Sequence, residues 1–176
     1  CEKLLRKKTD HIMVMNNDYF SLQTGVPMGH QISKGVVITK DSQGEDAIGI
    51  KKDGSAFISW LQVDTTITVG DTSFRVENVN KYIQPYSIYL LTDKFSDTTK
   101  YDEPTYSVII GELSDELLIN NEISGTVENI IESDKAIAIP KGKIVLAVDK
   151  RVEKKKMDKL KLLKVGEQIK IKNSAE

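Results

Sequence analysis

The sequence predicts a β-dominated α+β fold, with antiparallel hairpins forming a sandwich or partly open barrel and one or two short helices. Three observations carry that expectation. Glycine-bearing turn signals recur at short spacing, at Ser33-Lys34-Gly35, Lys52-Asp53-Gly54 and Gly70-Asp71. The stretches beside them alternate polar and apolar, as in Thr66-Ile67-Thr68-Val69 and Ser73-Phe74-Arg75-Val76, which is the period of half-buried antiparallel strands. Helical spacing is confined to a leading segment, residues 1–8, and to an imperfect stripe over residues 151–163, made by Val152, Met157, Leu160, Leu162 and Leu163.

Element by element, residues 11–15 read as a first strand, because Ile12, Met13, Val14 and Met15 form a short apolar run. Residues 29–33 and 36–40 form a hairpin around Lys34-Gly35. Residues 47–51 and 55–62 form another, since Asp-Gly is the strongest short-range hairpin cue. Residues 65–69 and 72–78 make a third, and the apolar, aromatic run 86–92 a central strand. Residues 96–104 form a polar loop without periodicity. Beyond it strands are expected at 106–113, 116–119, 124–132, 136–139, 144–148 and 168–172. The loop is a soft boundary between two strand-rich parts, residues 1–95 and 96–176.

Size and composition bound the rest. A chain of 176 residues supports one well-cored domain, or a domain with a small subdomain. A formal charge of -1 gives no field for steering nucleic acid, and no window approaches the roughly 18 apolar residues of a membrane span. The basic residues gather at Lys150, Arg151, Lys154, Lys155, Lys156, Lys159 and Lys161, which reads as the solvated face of a short helix. One cysteine, Cys1, and two histidines supply neither an intrachain disulfide nor a zinc ligand set, so no metal site is expected. The cofactor and the oligomeric state are open. No Gly-x-Ser-x-Gly elbow or phosphate-cradling loop occurs. Trp60 sits near Phe57 in an alternating strand, where core packing is the expectation and sugar stacking the alternative.

The most informative stretch is Met15-Asn16-Asn17-Asp18-Tyr19-Phe20, followed by Thr24-Gly25-Val26-Pro27-Met28-Gly29-His30. A strand ending in Asn-Asn-Asp presents amides and one acid at a sheet rim, which is a way to build a binding site; the same residues also terminate strands and make turns. His30, in the loop that follows, is a candidate substrate contact. Glu45 and Asp46 on the next hairpin, and Asp93 and Asp97 after the central strand, are the acids available as partners to Asp18. Asp53 is expected to make a turn.

The run 15–38 resembles the opening of the phosphodiester glycosidase family, which includes the enzyme that uncovers mannose 6-phosphate. Asn16, Asp18, Tyr19, Phe20, Gly25, Pro27, Gly29 and Gly35 fall on its pattern. The run 46–58 resembles the family's next hairpin, and Leu162-Leu163-Lys164-Val165-Gly166-Glu167 a late element. Asn17 stands where the family usually has Gly, and Asn is the residue that best tolerates a positive φ in its place. The resemblance implies a secreted hydrolase acting on a sugar-1-phosphodiester or related glycosidic linkage in a glycoconjugate or cell-wall polymer, at the bacterial cell surface or outside the cell. Asn16 and Asp18 would be its catalytic residues, and Asn17, Gly29 and His30 its substrate-binding residues. The family's later Gly-rich Asp/Ser segment has no counterpart here, and no signal peptide is seen. The chain is therefore expected to be the N-terminal part of such a domain and inactive alone. The alternative is a non-catalytic β-rich module that binds glycan or protein at the cell surface.

Overall fold

The computed structural model describes residues 19–22 and 24–176. The leading helical turn and the first strand expected over residues 11–15 lie outside them, as do Asn16, Asn17 and Asp18. Strands make up 50% of the described residues and helix 4%, so the β-dominated class holds, in its barrel form. In chain order the strands are β1 (Gln31–Ser33), β2 (Val36–Thr39), β3 (Glu45–Ile50), β4 (Ala56–Leu61), β5 (Val63–Val69), β6 (Thr72–Val76), β7 (Asn78–Val79), β8 (Ile88–Thr92), β9 (Thr105–Gly111), β10 (Asn121–Ser133), β11 (Ile144–Asp149) and β12 (Gln168–Ala175). One helix, α1 (Lys154–Leu160), precedes β12.

Eight strands form a nearly closed barrel-like sheet in the order β6-β5-β12-β10-β9-β11-β8-β7. Every pairing is antiparallel except β7 with β8. The closure follows from chain continuity. The edge strands β6 and β7 are separated by Glu77 alone, so one bent stretch of backbone ends the sheet on one side and begins it on the other. Glu77 fastens the bend: its amide donates to the Ile88 carbonyl at 2.9 Å, and its carboxylate accepts the Ile88 amide at 2.7 Å. Around the barrel the strands before the 96–104 loop, β5 to β8, fill one half and those after it, β9 to β12, fill the other, so neither half closes without its partner.

The alternation read in the sequence sorts the side chains. Ile67, Phe74, Val76, Leu90, Val108, Ile110, Val127, Leu146, Ile169 and Ile171 share one interior cluster. On β8, β9 and β11 the opposite face is covered too, because Tyr89, Leu91, Ile109, Val145 and Ala147 pack with Ile83 and Ile139. Two-sided burial explains why β9 and β11 read as continuous apolar runs while β5 and β12 alternate. The helix is shorter than its stripe. It lays Met157 and Leu160 on the interior cluster, while Leu162 points to solvent at 73% exposure. Two expected strands shrink to isolated bridges, Val36 with Leu118 and Thr98 with Ala138. Both segments cover the barrel rather than extend it, so each makes one backbone pairing and buries its apolar residues by side-chain contact.

Two small hairpins form sheets of their own, and the first, β1–β2, is fastened to the barrel by the Lys40–Val79 bridge and by Val37 in the interior cluster. The β1–β2 turn has φ 51 at Lys34 and 84 at Gly35, the paired positive angles of a tight hairpin turn. In β3–β4, the Asp53 carboxylate accepts both the amide (2.9 Å) and the hydroxyl (2.7 Å) of Ser55, which is the turn role expected of Asp53. This second hairpin overturns the core expectation for Trp60. Trp60 is 60% exposed, with Ile48, Ile50, Phe57 and Ile58 exposed beside it. The strand alternates as a core strand does, but the described residues bring no layer against it.

Candidate functional site

The loop that follows Asp18 is folded back on itself. Phe20 and Pro27 form an antiparallel bridge, the Ser21 amide donates to the Val26 carbonyl at 3.0 Å, and the Met28 amide donates to the Tyr19 carbonyl at 2.8 Å. Gly25 makes the reversal at φ 71, with its amide bonded to the Ser21 carbonyl. The loop therefore returns Gly29 and His30 toward the backbone that immediately follows Asp18.

Three elements hold that return strand. From the barrel side, the Lys81 ammonium donates to the carbonyls of Pro27 (2.5 Å) and Gly29 (2.9 Å) and lies 3.9 Å from the Asp41 carboxylate. Lys81 is placed by Asn80, which is buried at φ 53 and donates to the Ile38 carbonyl (2.7 Å) and Thr92 hydroxyl (3.0 Å). From β2, the Thr39 hydroxyl donates to the Gly29 carbonyl at 3.0 Å. From the start of β3, the Glu45 carboxylate accepts the His30 amide and lies so close to Gly29 that a Cβ there would overlap it. Only the end of the flexible Glu45 side chain meets such a Cβ, so a larger residue at 29 would displace the carboxylate from the His30 amide and leave the backbone in place.

His30 is the chemically distinctive group. Its Nδ1 accepts the Asp41 amide at 3.3 Å, which leaves the proton of the neutral ring on Nε2. That Nε2 is buried without a hydrogen-bond partner. Burial pulls the imidazole pKa below its ordinary value and outweighs the opposing pull of Glu45. The result is a neutral imidazole in the electrostatic reach of Glu45, Asp41 and Lys40, with the Gln43 backbone beside it. Such a set can orient an oxygen-rich ligand by hydrogen bonds. Among the described residues no cluster of three or more His, Cys, Asp or Glu is arranged to hold a metal. An NMR titration of the His30 ring is expected to show a midpoint below 6.5; a midpoint at or above that value would mean that the imidazole is not desolvated.

No protein-family model and no curated protein matches this chain. One solved structure does. It is described as the crystal structure of a hypothetical protein from Synechocystis, with a TM-score of 0.66 over 91% of this chain at 15% identity. The likeness speaks for the fold. The chain spans only 28% of that neighbour's length.

Of the residues singled out in the sequence, Gly29 and His30 are brought together and framed by Glu45, while Asn16, Asn17 and Asp18 lie outside the described residues. Asp93 and Asp97 do not join them: Asp93 accepts the Gly142 amide at 3.1 Å, and Asp97 accepts the Ser96 hydroxyl at 3.0 Å. Both lie in the connection that follows β8 and are engaged in hydrogen bonds there. A cavity of about 230 Å³ lies near Asp93, lined by Val37, Thr92, Lys94, Glu116 and Lys143, and not at His30. Sequence reading missed Lys81 and Asn80. The available signal was a polar pair set inside Val79 to Ile83, where flanking residues are apolar and buried.

Proposed function

We propose that this chain is part of a phosphodiester glycosidase-like hydrolase that acts on a sugar-1-phosphodiester or related glycosidic linkage, with its substrate in a glycoconjugate or cell-wall polymer outside the cell. Asn16 and Asp18 orient the substrate or assist proton transfer, and Asn17, Gly29 and His30 form the substrate side of the loop. The observation that carries the reading is the neutral His30 imidazole, whose Nε2 makes no well-formed hydrogen bond although the Gln43 backbone is close, on a strand returned to the residue that follows Asp18. A donor so placed suits a phosphate or sugar oxygen, whose acceptance of the bond removes the cost of the buried, poorly bonded N–H. Glu45 is then a positioning residue, since its carboxylate is engaged with the His30 amide. No second catalytic carboxylate for Asp18 is recognised in the sequence, and on this reading the chain alone is inactive.

The test is hydrolysis of an aryl or nucleotide sugar phosphodiester by a longer polypeptide carrying these residues. Asp18→Ala should lower kcat about 10²- to 10⁴-fold, the range for a lost general acid or base, and residues 1–176 alone should give no turnover. Turnover indifferent to Asp18→Ala overturns the assignment. The exposed apolar hairpin face favours one other reading, a non-catalytic module of the cell surface that binds glycan or protein. Glycan binding by the longer polypeptide without turnover selects it.

A further inference from the structure

The hairpin β3–β4 is a two-stranded sheet whose outer edges, on β3 and on β4, pair with no other described strand. One face carries Ile48, Ile50, Ala56, Ile58 and Trp60, because Ile48 opposes Ile58, Ile50 opposes Ala56 and Asp46 opposes Trp60. These side chains are exposed, four of them by 60–77%. The outer edge of β4, Ala56-Phe57-Ile58-Ser59-Trp60-Leu61, has no lysine, acid, proline or bulge, the devices by which natural sheets blunt an open edge. Two strands of this kind are marginal alone.

The backbone shows which strand fits that edge. At the hairpin turn the Lys51 amide donates to the Ser55 carbonyl. With the pairing of Gly49 to Phe57 and Ala47 to Ser59, the amides and carbonyls of Phe57, Ser59 and Leu61 point to β3. Those of Ala56, Ile58 and Trp60 point to the open side. Gln62 continues this alternation: a Cβ on Gly44 would meet the side chains of both Trp60 and Gln62, so these two residues share a face. Gln62 exchanges two bonds with Glu176, at 3.1 and 3.0 Å, and β12 runs antiparallel to β5 from there. The open edge of β4 is therefore the edge along which β12 is already travelling when it reaches Glu176.

We propose that this edge seats a further β-strand running directly on from β12. In a polypeptide longer than these 176 residues, such as the neighbour of which the matched fold makes up 28%, the residues joined to Glu176 pair with β4. The first falls opposite Leu61, the second opposite Trp60 and the fourth opposite Ile58. The second and fourth share the apolar face and are apolar themselves, widening the hairpin to three strands. The strand is attached at its own docking site, so it needs no affinity of its own beyond that of a tethered segment. The inference is independent of the catalytic reading.

The gene read past Glu176 should encode an extended, alternating segment with apolar residues at those two places. A stop codon, or charge at both places, overturns the inference. Hydrogen exchange then compares residues 1–176 with the longer polypeptide. The Ile58 and Trp60 amides should exchange fast in the first and at least about 100-fold slower in the second, and the fluorescence of Trp60, the sole tryptophan, should move to shorter wavelength. Fast exchange at Ile58 and Trp60 in the longer polypeptide overturns the inference. So does protection in residues 1–176 that rises with protein concentration, which assigns the edge to a second copy. Neither readout needs turnover: an inactive longer polypeptide with protected amides removes the catalytic reading alone.

Discussion

Replacing Asp149 by alanine is expected to destabilise the protein by about 1.5–3 kcal/mol, the range for losing hydrogen bonds to a buried charged group whose partner, Arg151, stays partly exposed. Asp149 ends β11 with its side chain wholly buried. One carboxylate oxygen accepts the Tyr86 amide (3.2 Å), the Arg151 amide (2.8 Å) and Arg151 Nε (2.9 Å); the other accepts the Tyr101 hydroxyl (2.6 Å) and Arg151 Nη2 (2.7 Å). Burial alone would raise this carboxyl, but the bonds from Arg151, Tyr101 and the backbone outweigh it and hold the pKa well below the usual carboxylate range. Without the acid, Tyr101 and Arg151 lose the group that orders them, and the loop crossing the outer face of β8 and β11 loses its anchor. A carboxyl whose pKa is depressed by folding stabilises fully above its unfolded pKa, about 3.9, and loses that contribution as pH falls through the folded value. Urea unfolding of the two proteins should therefore differ most at neutral pH, and the gap should narrow as pH drops below about 4. A gap under about 1 kcal/mol at pH 7 would show that the network is not what holds this loop.

Lys40→Ala is expected to cost about 2–4 kcal/mol, from the cavity it leaves and the carbonyls it strands. The Lys40 side chain is buried at the end of β2, and its ammonium donates to the carbonyls of Val76 and Glu77, both at 2.8 Å. These are the residues at which the chain turns from β6 to β7, so a side chain from outside the barrel fastens its closing bend. Burial, reinforced by nearby Arg75, pulls the ammonium pKa down to about 8. The folded protein thus releases this proton before the unfolded chain does. The cost of the buried charge is fully present below pH 8 and is relieved as pH rises from 8 toward the ordinary lysine value of about 10.4. Stability measured against Lys40→Met, which cannot titrate, should move in favour of the parent protein across that interval. A difference that stays flat from pH 7 to 10 would place the lysine in water.

Much of the barrel was legible because its signals are local. Gly35, Gly54 and Gly70 announce their hairpins, and alternation in β5 and β6 announces a half-buried sheet. The closure was not legible, since nothing around Glu77 distinguishes a strand that continues from one that changes neighbours. Lys40 and Lys81 look like surface lysines in sequence, and become structural only when distant carbonyls converge on them. Trp60 failed in the other direction, because alternation reports the periodicity of a strand and not whether a layer covers it. Gly29 and His30 were legible from their place in a motif, whereas the groups that frame them, Asn80 and Lys81, come from about fifty residues further along.

The pair formed by Gln62 and Glu176 has a consequence for how such a protein is assembled over evolutionary time. Everything between them, residues 63–175, leaves and returns at two hydrogen-bonded neighbours. A segment with adjoining ends can be gained or lost by a gene without separating the structure on either side. The barrel therefore has the adjoining ends that an insertable unit needs.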